Sequence, residues 1–95
     1  MGNLKVTVFQ RKKFRKDVRI MRKRGKKIEK LEKVVSMLAR GKELSDSYRD
    51  HSLLGEYTGC RECHLEPDWL LIYKIQEGAL HLVRTGTHAD LFKKY

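Results

Sequence analysis

Nine residues, Asp68-Trp-Leu-Leu-Ile-Tyr-Lys-Ile-Gln76, lie between a turn at Glu66-Pro67 and a tight turn at Glu77-Gly78. Their central apolar stretch is unbroken, which reads as a strand buried on both faces and therefore central in a sheet. The turns assign its neighbours: residues 60–65 pair before it and residues 79–85 after it, each through a short hairpin connection. Upstream, residues 4–9 alternate (Leu4, Val6, Val8, Phe9) and read as a further short strand. Phe14, Val18 and Met21 then recur at spacings of four and three, which predicts an amphipathic helix over 10–24. Ile28, Leu31, Val35 and Leu38 repeat the period over 26–40, with Gly25 and Gly41 as C-terminal stops. Residues 41–59 read as loop with one short helical turn, and Thr87 caps a last helical turn over 88–92. The order β-α-α-β-β-β predicts an α+β fold: a small antiparallel sheet with a basic two-helix hairpin on one face and a short C-terminal helix. The other sheet face is then expected to carry the functional site.

At 95 residues the chain has room for one domain, residues 1–95, with a modest core and a stability of a few kcal/mol. One Pro and seven Gly leave no long low-complexity segment. No apolar run reaches the roughly 20 residues of a membrane span, and no apolar signal-peptide core is visible at the N-terminus. The expected compartment is the cytoplasm, where the two cysteines are thiols. The formal net charge is +10. Residues 11–33 alone hold 13 Lys/Arg against three acids, so the whole excess lies there while the rest of the chain balances. A basic block of this kind is the footprint of a polyanion partner, ahead of an anionic membrane or an acidic protein.

Two constellations stand out. Cys60-Arg-Glu-Cys-His64 matches the covalent haem string. In a strand, however, residues three apart diverge to opposite faces, which argues against a haem, redox or zinc dithiol site. The second constellation follows from topology. His64 ends one strand, Asp68 and Trp69 begin the next, and the third strand returns Arg84 and His88 to the same edge. Histidine exchanges protons near neutral pH, and arginine holds phosphate and stabilises charge on it. A His/Asp/Arg cluster therefore has the parts for phosphodiester chemistry. Each residue also has a plainer explanation: Trp69 as core beside Leu71, Tyr73 and Ile75, Arg84 as an ion-pair partner, Asp68 as a turn cap, Phe92 as a packing residue. His81 is read as structural. Composition and spacing alone favour a basic nucleic-acid-binding domain over a ribonuclease.

Three blocks, Tyr48-Arg-Asp-His-Ser-Leu53, Arg61-Glu-Cys-His-Leu-Glu-Pro-Asp-Trp-Leu-Leu-Ile-Tyr73 and Arg84-Thr-Gly-Thr-His-Ala89 followed by Leu91-Phe92, resemble the YafQ-type branch of the RelE/ParE toxin superfamily. Order and spacing match throughout residues 48–92; the first half matches only as a strand followed by two basic helices. Ser52 stands where the family string has Pro, and Glu62 where some relatives have Asp. The resemblance implies a ribosome-dependent mRNA interferase of a type II toxin–antitoxin pair. Such a toxin cuts mRNA in the ribosomal A site by attack of the ribose 2′-hydroxyl, with no metal or other cofactor, and is neutralised by an acidic antitoxin. It implies a bacterial or archaeal cytoplasmic setting, with the 70S ribosome, mRNA and the cognate antitoxin as partners. It places His51, His64, Asp68, Arg84 and His88 in the catalytic set. His88 is the expected general acid, His64 or Asp68 the base with His51 assisting, and Arg84 the transition-state stabiliser. Trp69 and Phe92 would position nucleotides by stacking, with Glu62 as a helper. The basic face, Arg11, Lys12, Lys13, Arg15, Lys16, Arg19, Arg22 and Lys23, would meet rRNA. The rival expectations are a ParE-like gyrase-binding growth inhibitor, a ribosome-binding module that does not cleave, and a scaffold whose charge serves only the antitoxin.

Overall fold

The computed structural model describes residues 6–92; residues 4–5 of the expected first strand and the basic tail at 93–95 lie outside them. Strand β1 spans Thr7–Gln10, helix α1 Lys12–Lys23 and helix α2 Ile28–Ala39. Strand β2 is His51–Ser52, and β3 (Arg61–Glu66), β4 (Trp69–Gln76) and β5 (Ala79–Gly86) lead into the short helix α3, His88–Leu91.

Both long helices stop where glycine permits it. Gly25 (φ 84°) and Gly41 (φ 75°) take the left-handed conformation after α1 and α2. At α1, Gly25 N–H donates to the Arg22 carbonyl and Lys26 N–H to Met21. At α2 the matching pairs are Gly41 to Leu38 and Lys42 to Met37. These paired bonds satisfy carbonyls that a helix end otherwise leaves bare.

The sheet has five strands in the order β1-β5-β4-β3-β2. β4 is covered on both faces: Trp69, Leu70, Leu71 and Ile72 are fully buried. Trp69, Leu71 and Tyr73 join Phe14, Met21, Leu31, Val34, Leu38, Leu80 and Leu82 in a core under the two long helices. Leu70 and Ile72 face the other way, into a smaller core with Cys60 and Leu91, covered by Leu53, Tyr57, Val83 and Phe92. Ile75, on the same face as Trp69, Leu71 and Tyr73, runs past the helices and is exposed.

Two expectations need correction. The sheet is mixed, because β1 pairs parallel with β5, Thr7 opposite Ala79 through Gln10 opposite Leu82. Tight turns force the β3–β4 and β4–β5 pairs antiparallel, whereas almost the whole chain separates β1 from β5 and no turn dictates their relative direction. The segment read as loop also supplies the edge strand β2, whose His51 and Ser52 pair with Glu62 and Arg61. Two residues are too few to leave an alternating pattern. The cysteines do diverge as strand geometry requires: Cys63 lies in the helix-side core and Cys60 in the opposite one. Both are buried free thiols. Burial pushes the Cys63 thiol up to about 12, far from a reactive thiolate.

Candidate active site

On the sheet face away from the long helices, β3 alternates so that Glu62 and His64 sit together while Cys63 faces the helix-side core. Glu62 is only 4 % exposed. Its Oε2 lies 3.3 Å from His51 Nε2 and 3.4 Å from His64 Nε2. His51 is carried there by β2. Asp50 anchors the approach by accepting bonds from Arg61 Nε and the Tyr73 hydroxyl. Burial and the bond to Asp50 hold the Tyr73 phenol in its protonated form, well above its ordinary range. Arg49, in the left-handed region at φ 50°, turns its carbonyl to accept a 2.7 Å bond from His51 Nδ1.

The third imidazole comes from α3. The Thr87 hydroxyl accepts from Asp90 N–H at 3.1 Å and the Asp90 carboxylate accepts from Thr87 N–H at 2.9 Å, a reciprocal cap that fixes the start of this short helix. Arg24 pairs with the same Asp90 at 2.7 Å and, as the largest cause, lowers its pKa strongly. Asp68, in the β3–β4 turn, accepts from His88 N–H at 2.9 Å and meets His88 Nδ1 at 2.7 Å. The backbone bond first, then the ring bond, lowers the Asp68 pKa. Because a carboxylate only accepts, Nδ1 of His88 carries the proton, which leaves Nε2 for chemistry.

The rings form a row. His51 and His64 are 6.3 Å apart between centroids, His64 and His88 5.8 Å, His88 and Phe92 6.4 Å, and Phe92 meets Tyr57 edge-on at 5.7 Å. Thus His51, Glu62, His64, Asp68, His88 and Phe92 come together on one surface. Arg84 reaches the row only through Tyr57, to whose hydroxyl oxygen its Nη1 donates at 3.3 Å. Its other nitrogens fork onto buried Asp17, Nε to Oδ2 at 2.7 Å and Nη2 to Oδ1 at 3.1 Å, and this pair raises its pKa further.

Trp69 does not belong to this surface. It is fully buried in the helix-side core, its indole N–H donating to the Thr85 hydroxyl at 2.9 Å, so the stacking role is corrected to a packing one. His81 stacks on Phe9 at 5.5 Å, away from the row. Two contributors escaped sequence reading. Tyr57 sits in a polar, Gly-punctuated segment without periodicity. Asp17 did leave a signal, being the one acid within α1 and placed on the apolar Phe14–Val18–Met21 face.

The basic block divides by function. Lys26 and Lys30 both bond Glu66 at 2.8 Å, and Arg24 holds Asp90. These cations tie the hairpin to the sheet and α3. In contrast, Arg11, Lys12, Lys13, Arg15, Lys16, Arg19, Arg22 and Lys23 are exposed, and none pairs with an acid among the described residues.

Comparison with known proteins agrees with this geometry. Residues 6–93 match the family described as a bacterial toxin of type II toxin–antitoxin system, YafQ. The chain is 44% identical over 80 residues to the mRNA interferase toxin YafQ of Escherichia coli K12, covering 83% of this chain and 87% of that one. The crystal structure of YafQ from E. coli BL21(DE3) superposes with a TM-score of 0.88 at 39% identity, covering 92% of this chain and 98% of that one. YafQ in the E. coli DinJ–YafQ complex gives 0.85 at 40% identity, covering 92% and 98%. A metal-bound toxin from Helicobacter pylori gives 0.85 at 46% identity, covering 92% and 99%. The chain belongs to the YafQ family of bacterial type II toxin–antitoxin toxins.

Proposed function

We propose that this chain is a ribosome-dependent mRNA endoribonuclease, the toxin of a type II pair, acting in the bacterial cytoplasm. The observation that carries the reading is the His64–His88 pair, 5.8 Å apart, with His88 held in one tautomer by Asp68. Two imidazoles at this spacing can flank one phosphodiester. His64, backed by Glu62 and His51, takes the proton of the ribose 2′-hydroxyl as its oxygen attacks the adjacent phosphorus. The P–O5′ bond breaks with its electron pair going to O5′, and His88, acting as the imidazolium with Nδ1–H kept on Asp68, supplies the proton from Nε2. The products are a 2′,3′-cyclic phosphate and a 5′-hydroxyl fragment. Asp68, occupied on both the backbone and the ring of His88, acts as the positioning residue and leaves the base role to His64. Arg84 Nη1, beside Tyr57, stabilises charge growing on the phosphoryl oxygens. Phe92 and Tyr57 offer aromatic edges against which a base can rest.

The free cations of α1 and its flank supply phosphate attraction to rRNA that does not depend on sequence. The same element suits an acidic antitoxin. Val8, Phe14, Val18, Ile28, Leu31 and Val35 floor a groove rimmed by Arg15, Arg19 and Arg22. No described helix is long and apolar enough to cross a membrane.

The test adds purified wild type or His88→Ala to a bacterial cell-free translation reaction and maps new mRNA 5′ ends. In-frame cuts by wild type alone, only on translating ribosomes, are expected. Running translation without cuts overturns the reading in favour of gyrase binding, and stalled translation without cuts in favour of ribosome binding alone.

A further inference from the structure

Outside the histidine row, one buried charged side chain is aimed at a residue of the proposed chemistry. Asp17 is the one acid of the otherwise basic helix α1, and it is 7% exposed. We propose that Asp17 is a positioning residue for RNA cleavage. Its carboxylate clamps one edge of the Arg84 guanidinium, so that the remaining nitrogen, Nη1, is delivered to one oxygen of the scissile phosphate. The proposal rests on the nuclease reading above and adds to it a residue that touches no substrate.

Three features of the fold build the clamp. The first is an edge left open. β1 stops at Gln10, opposite Leu82, and the chain turns into α1 there, with Arg11 N–H donating to the Leu82 carbonyl at 3.0 Å. Past Leu82, β5 is flanked by α1 instead of a strand, and Asp17 Oδ2 accepts from Thr85 N–H at 3.1 Å. The second is a bulge. Tyr73 pairs with Leu82 but Ile72 with Arg84, so Val83 has no residue opposite it. Strict alternation from Leu80 and Leu82 would send Arg84 into the helix-side core. The bulge instead sets it opposite Ile72, on the face of the row. The third is how the guanidinium is shared. Nε donates to Oδ2 at 2.7 Å and Nη2 to Oδ1 at 3.1 Å, a side-on fork that fixes the plane of the group. Nη1 is left with the Tyr57 hydroxyl at 3.3 Å, past the roughly 2.7–3.2 Å of an ordinary N–H···O bond, and can exchange it for a phosphoryl oxygen. Thr85 steadies the clamp from below: its hydroxyl donates to the Leu70 carbonyl at 2.7 Å and accepts from the Trp69 indole at 2.9 Å.

The reaction gains direction from this, not charge. A guanidinium ordered in advance needs no reorganisation as charge grows on the phosphate. The carboxylate meanwhile subtracts from the positive field that attracts RNA, so attraction alone does not account for an acid at this position. Loss of Asp17 should therefore leave ribosome binding intact and slow the chemical step.

The experiment measures single-turnover cleavage of purified ribosome–mRNA complexes by the full chain, in the cold, with Trp69 emission reporting that each variant is folded. Asp17→Asn should lower the rate about 100-fold, the scale of a catalytic group misplaced by about 1 Å, with undiminished sedimentation on ribosomes. In an Arg84→Ala background the same substitution should cost no further rate. A second arm uses mRNA with a phosphorothioate at the cleaved position. Because Nη1 is held toward one non-bridging oxygen, sulfur at that oxygen should slow wild type far more than sulfur at the other. Asp17→Asn should erase the difference, whereas a merely structural lesion would slow both diastereomers alike. The wild-type arm decides even where a variant does not fold. Cleavage by Asp17→Asn at the wild-type rate, an additive loss in the double variant, or equal wild-type rates on the two diastereomers overturns the positioning role and leaves the nuclease reading intact. A wild type that cuts no mRNA overturns that reading, and the positioning role with it.

Discussion

Asp17→Asn isolates a contact that joins the basic helix to the catalytic half. The Asp17 side chain is 9% exposed and that of Arg84 20%. Oδ2 accepts from Arg84 Nε at 2.7 Å and from Thr85 N–H at 3.1 Å, and Oδ1 accepts from Arg84 Nη2 at 3.1 Å. An amide keeps the shape but has one accepting oxygen, so its NH2 must face donors on one side, and Arg84 loses its counter-charge. Removing one partner of a buried pair costs about 3–5 kcal/mol; partial access of water to Arg84 lowers this to about 2–3 kcal/mol. For a domain of this size that is a Tm lowered by about 10–20 °C. The raised pKa of Arg84 means the pair is complete below the ordinary arginine value and is lost only above it, so Arg84 adds no slope to stability near neutral pH. Thermal melts of wild type, Asp17→Asn and the double variant Asp17→Asn/Arg84→Gln decide the matter. The double variant should regain part of the loss, because no orphaned charge remains. A Tm lowered by less than about 3 °C in the single variant would refute the reasoning, since a screened surface pair contributes only about 0–1 kcal/mol.

Three further outcomes follow from the geometry. The Asp68 pKa is lowered by bonds from His88, so its stabilisation is present above the ordinary carboxylate value and is lost as pH falls through the lowered folded value; amide exchange at His88 should accelerate only in that acid window, and early acceleration near neutral pH would contradict it. Thr87→Ala removes one half of the reciprocal cap on α3, which should cost about 1 kcal/mol and reduce cleavage by loosening His88 and Phe92; unchanged melting and activity would count against the cap as the device that places them. Trp69 is the sole tryptophan and fully buried, so its emission should be blue-shifted, resist iodide quenching and ignore added RNA; strong quenching would place it at the surface after all.

Much of this was legible in the chain because local rules govern it. The apolar run of β4, its bounding turns, the two helical periods and the glycine stops all act over a few residues, and the two long helices and β3 to β5 lie within about two residues of their expected places. Two hairpins were enough to bring His64, Asp68 and His88 to one edge. What remained hidden depends on partners distant in sequence. A two-residue strand such as β2 exists only because β3 offers it an edge. The direction of β1 was open because no turn connects it to β5. Trp69 looked available for stacking until the register placed it under the helices.

Charge divides the same way. Counting residues is enough to place the excess of basic charge in one quarter of the chain. Which of those cations hold the fold together depends instead on contacts between distant parts of the chain. Arg24, Lys26 and Lys30 are neutralised by acids 36 to 66 residues away, and Asp17 is withdrawn to hold Arg84 across 67. Coulomb attraction falls with distance in space, not along the chain, so the fold had to bring these groups together before the structural charges could be told from those left for a polyanion.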